Sequence, residues 1–159
     1  MNKVKQSLQF VDNCVRLLID ECEGERFAGR ICGIALKKDI PFGNNVDFIV
    51  KVDKAFDQIG KPQSGQVPRS FDDSSEDWTS YVGAPERFHT SEEIAGRYGR
   101  QATVDLTMIT RHRSEWQGKL TDFSGRTIEM FDSAVGCYRQ IAALCAAGKL
   151  FGRPAEDEA

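Results

Sequence analysis

The side chains best equipped for chemistry in this sequence are five cysteines, two histidines, several paired acids and one basic run. Cys14 and Cys22 are eight residues apart, and so are Cys137 and Cys145. Zinc needs its thiolates about 2.3 Å away, whereas eight residues rise about 12 Å along a helix. Neither pair can therefore share a metal if its segment is helical. The odd count and the lack of any Cys-x-x-Cys fit reduced thiols packed as small apolar residues better than a disulfide framework. His89 and His112 stand in no His-x-x-x-His or Cys-x-x-His spacing, so no metal ligand and no cofactor is assigned.

Catalytic frameworks are equally hard to find. There is no Gly-x-Ser-x-Gly elbow for a serine nucleophile. No Gly-x-x-x-x-Gly-Lys occurs, and no Gly-x-Gly-x-x-Gly joins a strand to a helix, which argues against nucleotide hydrolysis and dinucleotide redox chemistry. The acid pairs Asp72-Asp73, Glu76-Asp77 and Glu92-Glu93 fall in polar sequence or a helix's first turn, where solvation and the helix N-terminus account for them. No residue is assigned a catalytic role.

Two groups remain as binding candidates. The basic run Arg97, Arg100, Arg111, His112 and Arg113 lies close to Trp116, and cations beside an aromatic can hold a nucleic-acid backbone and stack a base. Arg111, Arg113 and Trp116 are the candidate nucleic-acid-binding residues. The same arginines, interleaved with Asp105 and Glu115, also suit a charged edge strand that blocks sheet-to-sheet pairing. Trp78, Tyr81 and Phe88 are aromatics in otherwise polar sequence, suited to anchor a protein partner or to fold back over an open sheet.

The elements that must position these residues follow from periodicity. From Val4 to Glu23, apolar residues at Leu8, Val11, Val15, Leu18 and Cys22 step by three and four, which predicts an N-terminal helix over 4–23 with Gly24 as its stop. Residues 27–60 read as strand, strand and helix, with Pro41 confining the second strand to an edge and Asn44 or Asn45 capping the helix. Residues 61–101 form a linker rich in Pro, Gly, Ser and acid, in which Thr90-x-x-Glu93 is a capping box opening a short helix.

A strand with Val104, Leu106 and Met108 on one side begins the stretch 102–148, followed by a second strand-strand-helix unit. Its hairpin turns at Phe123, Ser124 and Gly125, with Leu120 expected opposite Ile128 and Gly118 opposite Met130. The tail 149–159 is acidic and expected to fray. An offset of 89 aligns the two units, pairing Gly29 with Gly118, Phe27 with Trp116, Phe42 with Phe131 and Val46 with Val135, which predicts an internal duplication.

At Arg69 to Phe71 (Arg-Ser-Phe), Trp116 to Gly118 (Trp-Gln-Gly) and the Phe-x-Ser-Ala stretch from Phe131 to Ala134, the chain resembles a group of uncharacterised bacterial proteins built from two strand-strand-helix units. The resemblance covers about residues 27–147. It implies a fold and no catalytic residue. The chain departs from the group in Gly136, where the helix usually carries a carboxylate, and in its long acidic linker.

The expected fold is α+β: one domain over 1–150, with an antiparallel sheet of about five strands from two ββα units plus one extra strand, and helices mostly on one face. With 40% hydrophobic and 28% charged residues the composition is that of a globular chain. Asp12, Asn13, Arg16 and Asp20 interrupt the N-terminal apolar run, which speaks against a leader or a membrane span and for the cytoplasm. A net charge of −3 offers no general attraction to nucleic acid. The leading functional expectation is a non-catalytic module that binds a protein partner or its own copy. Nucleic-acid binding through the Arg/Trp patch is the alternative, and a small-molecule enzyme with His112 and a cysteine at the junction of the two units comes third.

Overall fold

Asn44 and Ser133 start the two long helices in the same way: each side-chain oxygen accepts the backbone N–H three residues on, from Asp47 and Gly136. The structure, a computed structural model, describes residues 10–24, 26–60, 86–112 and 115–151. In chain order the elements are β1 (Cys14–Glu23), β2 (Arg26–Cys32), β3 (Ile40–Phe42), α1 (Asn45–Ile59), α2 (Ser91–Ala95), β4 (Ala102–His112), β5 (Glu115–Asp122), β6 (Thr127–Phe131) and α3 (Ala134–Ala146). The six strands form one antiparallel sheet in the order β3-β2-β1-β4-β5-β6. The α+β class and the antiparallel sheet agree with the sequence reading, as do α1, β4 and the Thr90–Glu93 capping box at the start of α2.

The N-terminal helix expected over 4–23 is not seen among the described residues. Cys14–Glu23 is a strand, and the rest of the segment assigned to that helix, apart from residues 10–13, lies outside the described residues. β1 is central, with β2 on one side and β4 on the other, and Cys14 to Ile19 are all buried. A strand covered on both faces carries a continuous apolar run with no alternation, and over ten residues such a run also satisfies a helical stripe. Gly24, at φ 62, does not end a helix; it opens the turn into β2. The sixth strand is therefore the segment read as a helix, and the extra strand at Val104 is its counterpart.

Each half is a three-stranded meander followed by a helix, and the offset of 89 carries one ladder onto the other. Ile19↔Gly29 becomes Met108↔Gly118, Gly29↔Phe42 becomes Gly118↔Phe131, and the register break between Ile19 and Glu21 becomes the one between Met108 and Thr110. A side chain on either glycine would collide with the carbonyl oxygen opposite, of Leu18 or of Thr107, which are themselves corresponding residues. Glycine is thus required by close approach of the backbone. At the centre Arg16 pairs with Asp105, its own counterpart, so an approximate twofold axis runs between them.

The sheet edges are matched too. Lys51 Nζ donates to the Pro41 carbonyl at 3.2 Å in β3, and Gln140 Nε2 to the Met130 carbonyl at 2.9 Å in β6. Each edge strand thereby has a carbonyl occupied by a side chain from the following helix, which hinders strand addition.

The second hairpin turns at Phe123–Gly125 as expected, with Gly125 at φ 92, but its register is one residue off: Gly118 faces Phe131 and Leu120 faces Glu129. A bulge between Leu120 and Thr121 takes up the extra residue, burying Phe131 and leaving Met130 exposed. Asp122 holds the turn, accepting from the Ser124 N–H at 2.9 Å, the Ser124 hydroxyl at 2.6 Å and the Arg126 N–H at 3.0 Å. Burial pushes its carboxyl up, but these donors and the Arg126 charge outweigh it and hold the group below its usual range. A depressed folded-state pKa contributes stability that is complete above the unfolded value, near pH ~4, and is lost as pH falls through the folded value. Asp122→Ala is therefore expected to cost about 1 kcal/mol at neutral pH, with a smaller cost well below pH ~4, as read by urea unfolding at the two pH values. An equal cost at both would disprove the assignment.

The larger core lies between the sheet and α1 with α3. Val15, Leu17, Ile19, Val104, Leu106 and Met108 face these helices from the two central strands. Phe27, Phe42 and Phe48 meet edge to face at 5.2 to 5.9 Å, and Trp116 joins them 6.4 Å from Phe48. On the opposite face Phe10, Leu18, Cys32, Ile34 and Ile94 form a smaller cluster that fixes α2 over the first half. Among the described residues no helix is long and apolar enough to cross a membrane.

Candidate functional site: a cleft on the sheet face opposite the long helices

The strand residues that point away from α1 and α3 alternate with the core: Cys14, Arg16 and Leu18 on β1, Asp105 and Thr107 on β4, Lys119 and Thr121 on β5. Over the first half, α2 and Phe10 cover this face. Over the second half the polar row is left beside a cleft of about 260 Å³. Phe10 and Val11 form one wall, Lys119 and Thr121 the other, and Cys14 with Asp105 lie in the floor.

Arg16 ties the Asp105 of the floor to the end of α2. Its Nε and Nη2 donate to the two Asp105 oxygens at 2.8 and 3.1 Å, while Nη1 donates to the carbonyls of Ala95 and Arg97 at 3.0 and 3.1 Å. The guanidinium lies 5.2 Å from the Phe10 ring centroid and 5.7 Å from that of Tyr98, and Tyr98 in turn meets Phe123 edge to face. One buried cation thus joins β1, β4, the end of α2 and the turn after β5. Burial pushes the Asp105 carboxyl up, against the pull of the Arg16 guanidinium.

Cys14 is the thiol in this cleft. Burial, reinforced by Asp105, pushes it up to about 12, which keeps it protonated near neutral pH and unsuited to nucleophilic attack. Among the described residues no group of three or more His, Cys, Asp or Glu side chains could hold a metal ion.

The residues proposed for nucleic-acid binding are placed elsewhere. Trp116 is 0% exposed and packs in the larger core, so it offers no ring face to a stacked base. The Arg111 side chain is 1% exposed, with Nη1 at 2.7 Å from Asp53 and 2.9 Å from Asp57 on α1, so its charge is already matched. Arg97 is paired with Asp39, and Arg100 donates its backbone N–H to Asp20. Alternation along β5 puts Trp116 on the core face with Gly118 and Leu120, and a core position is incompatible with stacking on nucleic acid.

Of the candidate partner anchors, Phe88 is 39% exposed and donates its backbone N–H to the Ile34 carbonyl at 2.7 Å. Its neighbour Arg87 reaches Asp12 at 2.8 Å, and Asp12 adjoins Val11, which is 51% exposed. That ion pair links the segment carrying Phe88 to the one carrying Val11, which lines the cleft. Trp78, Tyr81, Arg113 and the His112 side chain lie outside what is described. Sequence reasoning missed Arg16, Lys119 and Thr121 as parts of a site; the one signal pointing to Arg16 was its spacing of 89 from Asp105, equal to the repeat offset. No family model, curated protein or solved structure matches this chain.

Proposed function

We propose that the protein is a non-catalytic binding module whose partner is a protein, and that the partner docks on the cleft-bearing sheet face, with Phe88 and Val11 as apolar anchors and Lys119 as the charged contact. The observation that carries this reading is the exposed Val11 on the wall of a cleft in the sheet face opposite α1 and α3, next to the Asp12 that pairs with Arg87, the chain neighbour of the exposed Phe88. An apolar anchor beside a polar, partly wet cleft is the usual composition of a protein docking site. The raised Cys14 thiol supports binding over covalent chemistry at this place.

Site-specific photocrosslinking tests it. A photoreactive phenylalanine analogue at Phe88 is expected to give a discrete adduct in cells, weakened by Lys119→Glu, whereas the same group at Val46, exposed on α1, gives none. An adduct of twice the chain's mass would identify a second copy as the partner, and any other discrete mass a different protein. Equal adducts from both positions, or none from Phe88, would overturn the proposal.

A further inference from the structure

The offset of 89 that carries one ladder onto the other places Lys119 of β5 where Arg30 stands in β2. Arg30 holds carboxylates of its own chain: Nε and Nη2 donate to Asp20 at 3.0 and 3.2 Å, and Nη1 lies 3.9 Å from Asp39. In the second half both acids are replaced. Ile109 stands at the position matching Asp20, each at the register break of its strand, and Ile128 at the position matching Asp39, each one residue before the partner of Ile31 or Leu120. Among the described residues Lys119 has no acid within ion-pair distance. The rest of the cleft adds no compensating charge. Two rows cross β1, β4 and β5 on this face: Cys14, Thr107 and Lys119 in one, Arg16, Asp105 and Thr121 in the next. Arg16 takes both Asp105 oxygens at 2.8 and 3.1 Å, so the second row is neutral and Lys119 supplies the net charge. Thr107 stands directly opposite Lys119 and Thr121 two residues along on the same face, which puts both hydroxyls roughly 5–7 Å from it at Cβ, within reach of a group held there.

We propose that Lys119 is the receptor for a carboxylate side chain, an aspartate or a glutamate, which the docked protein partner inserts into this cleft as Asp20 is set against Arg30 in the first half. The inference rests on the docking reading above and adds the partner's chemistry. At about 260 Å³ the cleft falls below the roughly 300–1,000 Å³ of clefts that enclose a drug-sized molecule, so it suits one inserted side chain. The surface around it sets what flanks the acid. Met130, directly opposite Lys119, is 58% exposed, and Ile109 is 52% exposed, so apolar partner residues beside the carboxylate have surface to cover. Lysine presents a point charge and no planar fork, so recognition depends on charge and reach, and arginine can stand in for it. Such a contact at a partly wet rim fixes register and excludes basic partners more than it adds affinity.

The test titrates the isotopically labelled full chain, followed by nuclear magnetic resonance, with butyrate, which reproduces a glutamate side chain and its Cα carbon, and with butyramide, its neutral isostere. Butyrate is expected to shift the amide signals of Thr107, Lys119 and Thr121 saturably, and butyramide to leave them in place. Lys119→Met and Ile109→Asp should each weaken butyrate about tenfold, the first by removing the cation and the second by giving it an internal carboxylate as in the first half. Lys119→Arg should retain binding, and unchanged unfolding midpoints confirm that the variants fold. In cells, Ile109→Asp should also diminish the adduct formed from Phe88. Equal shifts from butyramide, no saturable shift from butyrate, or full butyrate binding by Ile109→Asp would each overturn the inference, even with the Phe88 adduct present and the docking reading intact. The expected butyrate pattern with no Phe88 adduct would instead overturn the docked protein as the source of the carboxylate and leave a free small acid in its place.

Discussion

Replacing Asp105 with alanine should lower the folding free energy by roughly 3–5 kcal/mol, the range for removing one partner of a buried ion pair. Arg16 would remain 0% exposed, with Nη1 still on the carbonyls of Ala95 and Arg97 but Nε and Nη2 without their acceptors. A buried guanidinium cannot shed its proton, so the penalty falls on the fold. Removing both charges together, with Arg16→Met and Asp105→Leu, should recover most of the loss, because apolar groups of similar volume need no counter-charge. Urea unfolding measures both. A cost of under about 1 kcal/mol for Asp105→Ala would mean the pair is not desolvated, and an additive double variant would mean the two residues do not interact. Hydrogen exchange adds a local reading: α2, held by Arg16 through its terminal carbonyls, should lose protection in Arg16→Met alone.

Trp116→Ala should cost roughly 3–5 kcal/mol, the range for deleting a large aromatic from a packed core. The indole meets Phe48 and fills the place that Phe27 occupies in the other half. Its Nε1 has no hydrogen-bond partner among the described residues, so Trp116→Phe removes a buried donor along with some volume and should be far milder, at about 1 kcal/mol. The contrast separates a core residue from a surface platform. A stability change within about 0.5 kcal/mol for Trp116→Ala would put the ring at the surface and restore its use as a base-stacking site.

The local chemistry of the chain was legible wherever a few neighbouring residues decide the outcome. Asn44, Thr90 and Ser133 cap helices because their short side chains reach the free N–H groups of the first turn. Gly60 and Gly125 sit at positive φ, where glycine is the least strained residue, and Pro41 lies in an edge strand. The alternation of Val104, Leu106 and Met108 identified β4, and the repeat offset of 89 predicted the corresponding ladders of the two halves.

The candidate site was far less legible. Arg16 reads as a polar break in an apolar run until Asp105 is known to stand opposite it; only then is burial tolerable and the segment free to be a central strand. Arg111 reads as an open cation until Asp53 and Asp57 on α1 are placed beside it. Both errors have one cause, which is that the energy of a buried charge depends on a partner distant in sequence.

By itself, then, the sequence determined the α+β class, the capped helices and the turn glycines, set by steric and hydrogen-bonding demands within a few residues. Only the tertiary structure decided that residues 14–23 are a strand, that a bulge shifts β6 by one residue, that Trp116 is core, and that Val11 and Lys119 line one cleft. Those outcomes depend on which surfaces meet across the sheet, and no local pattern encodes the pairing of residues 54 to 95 positions apart that brings them together.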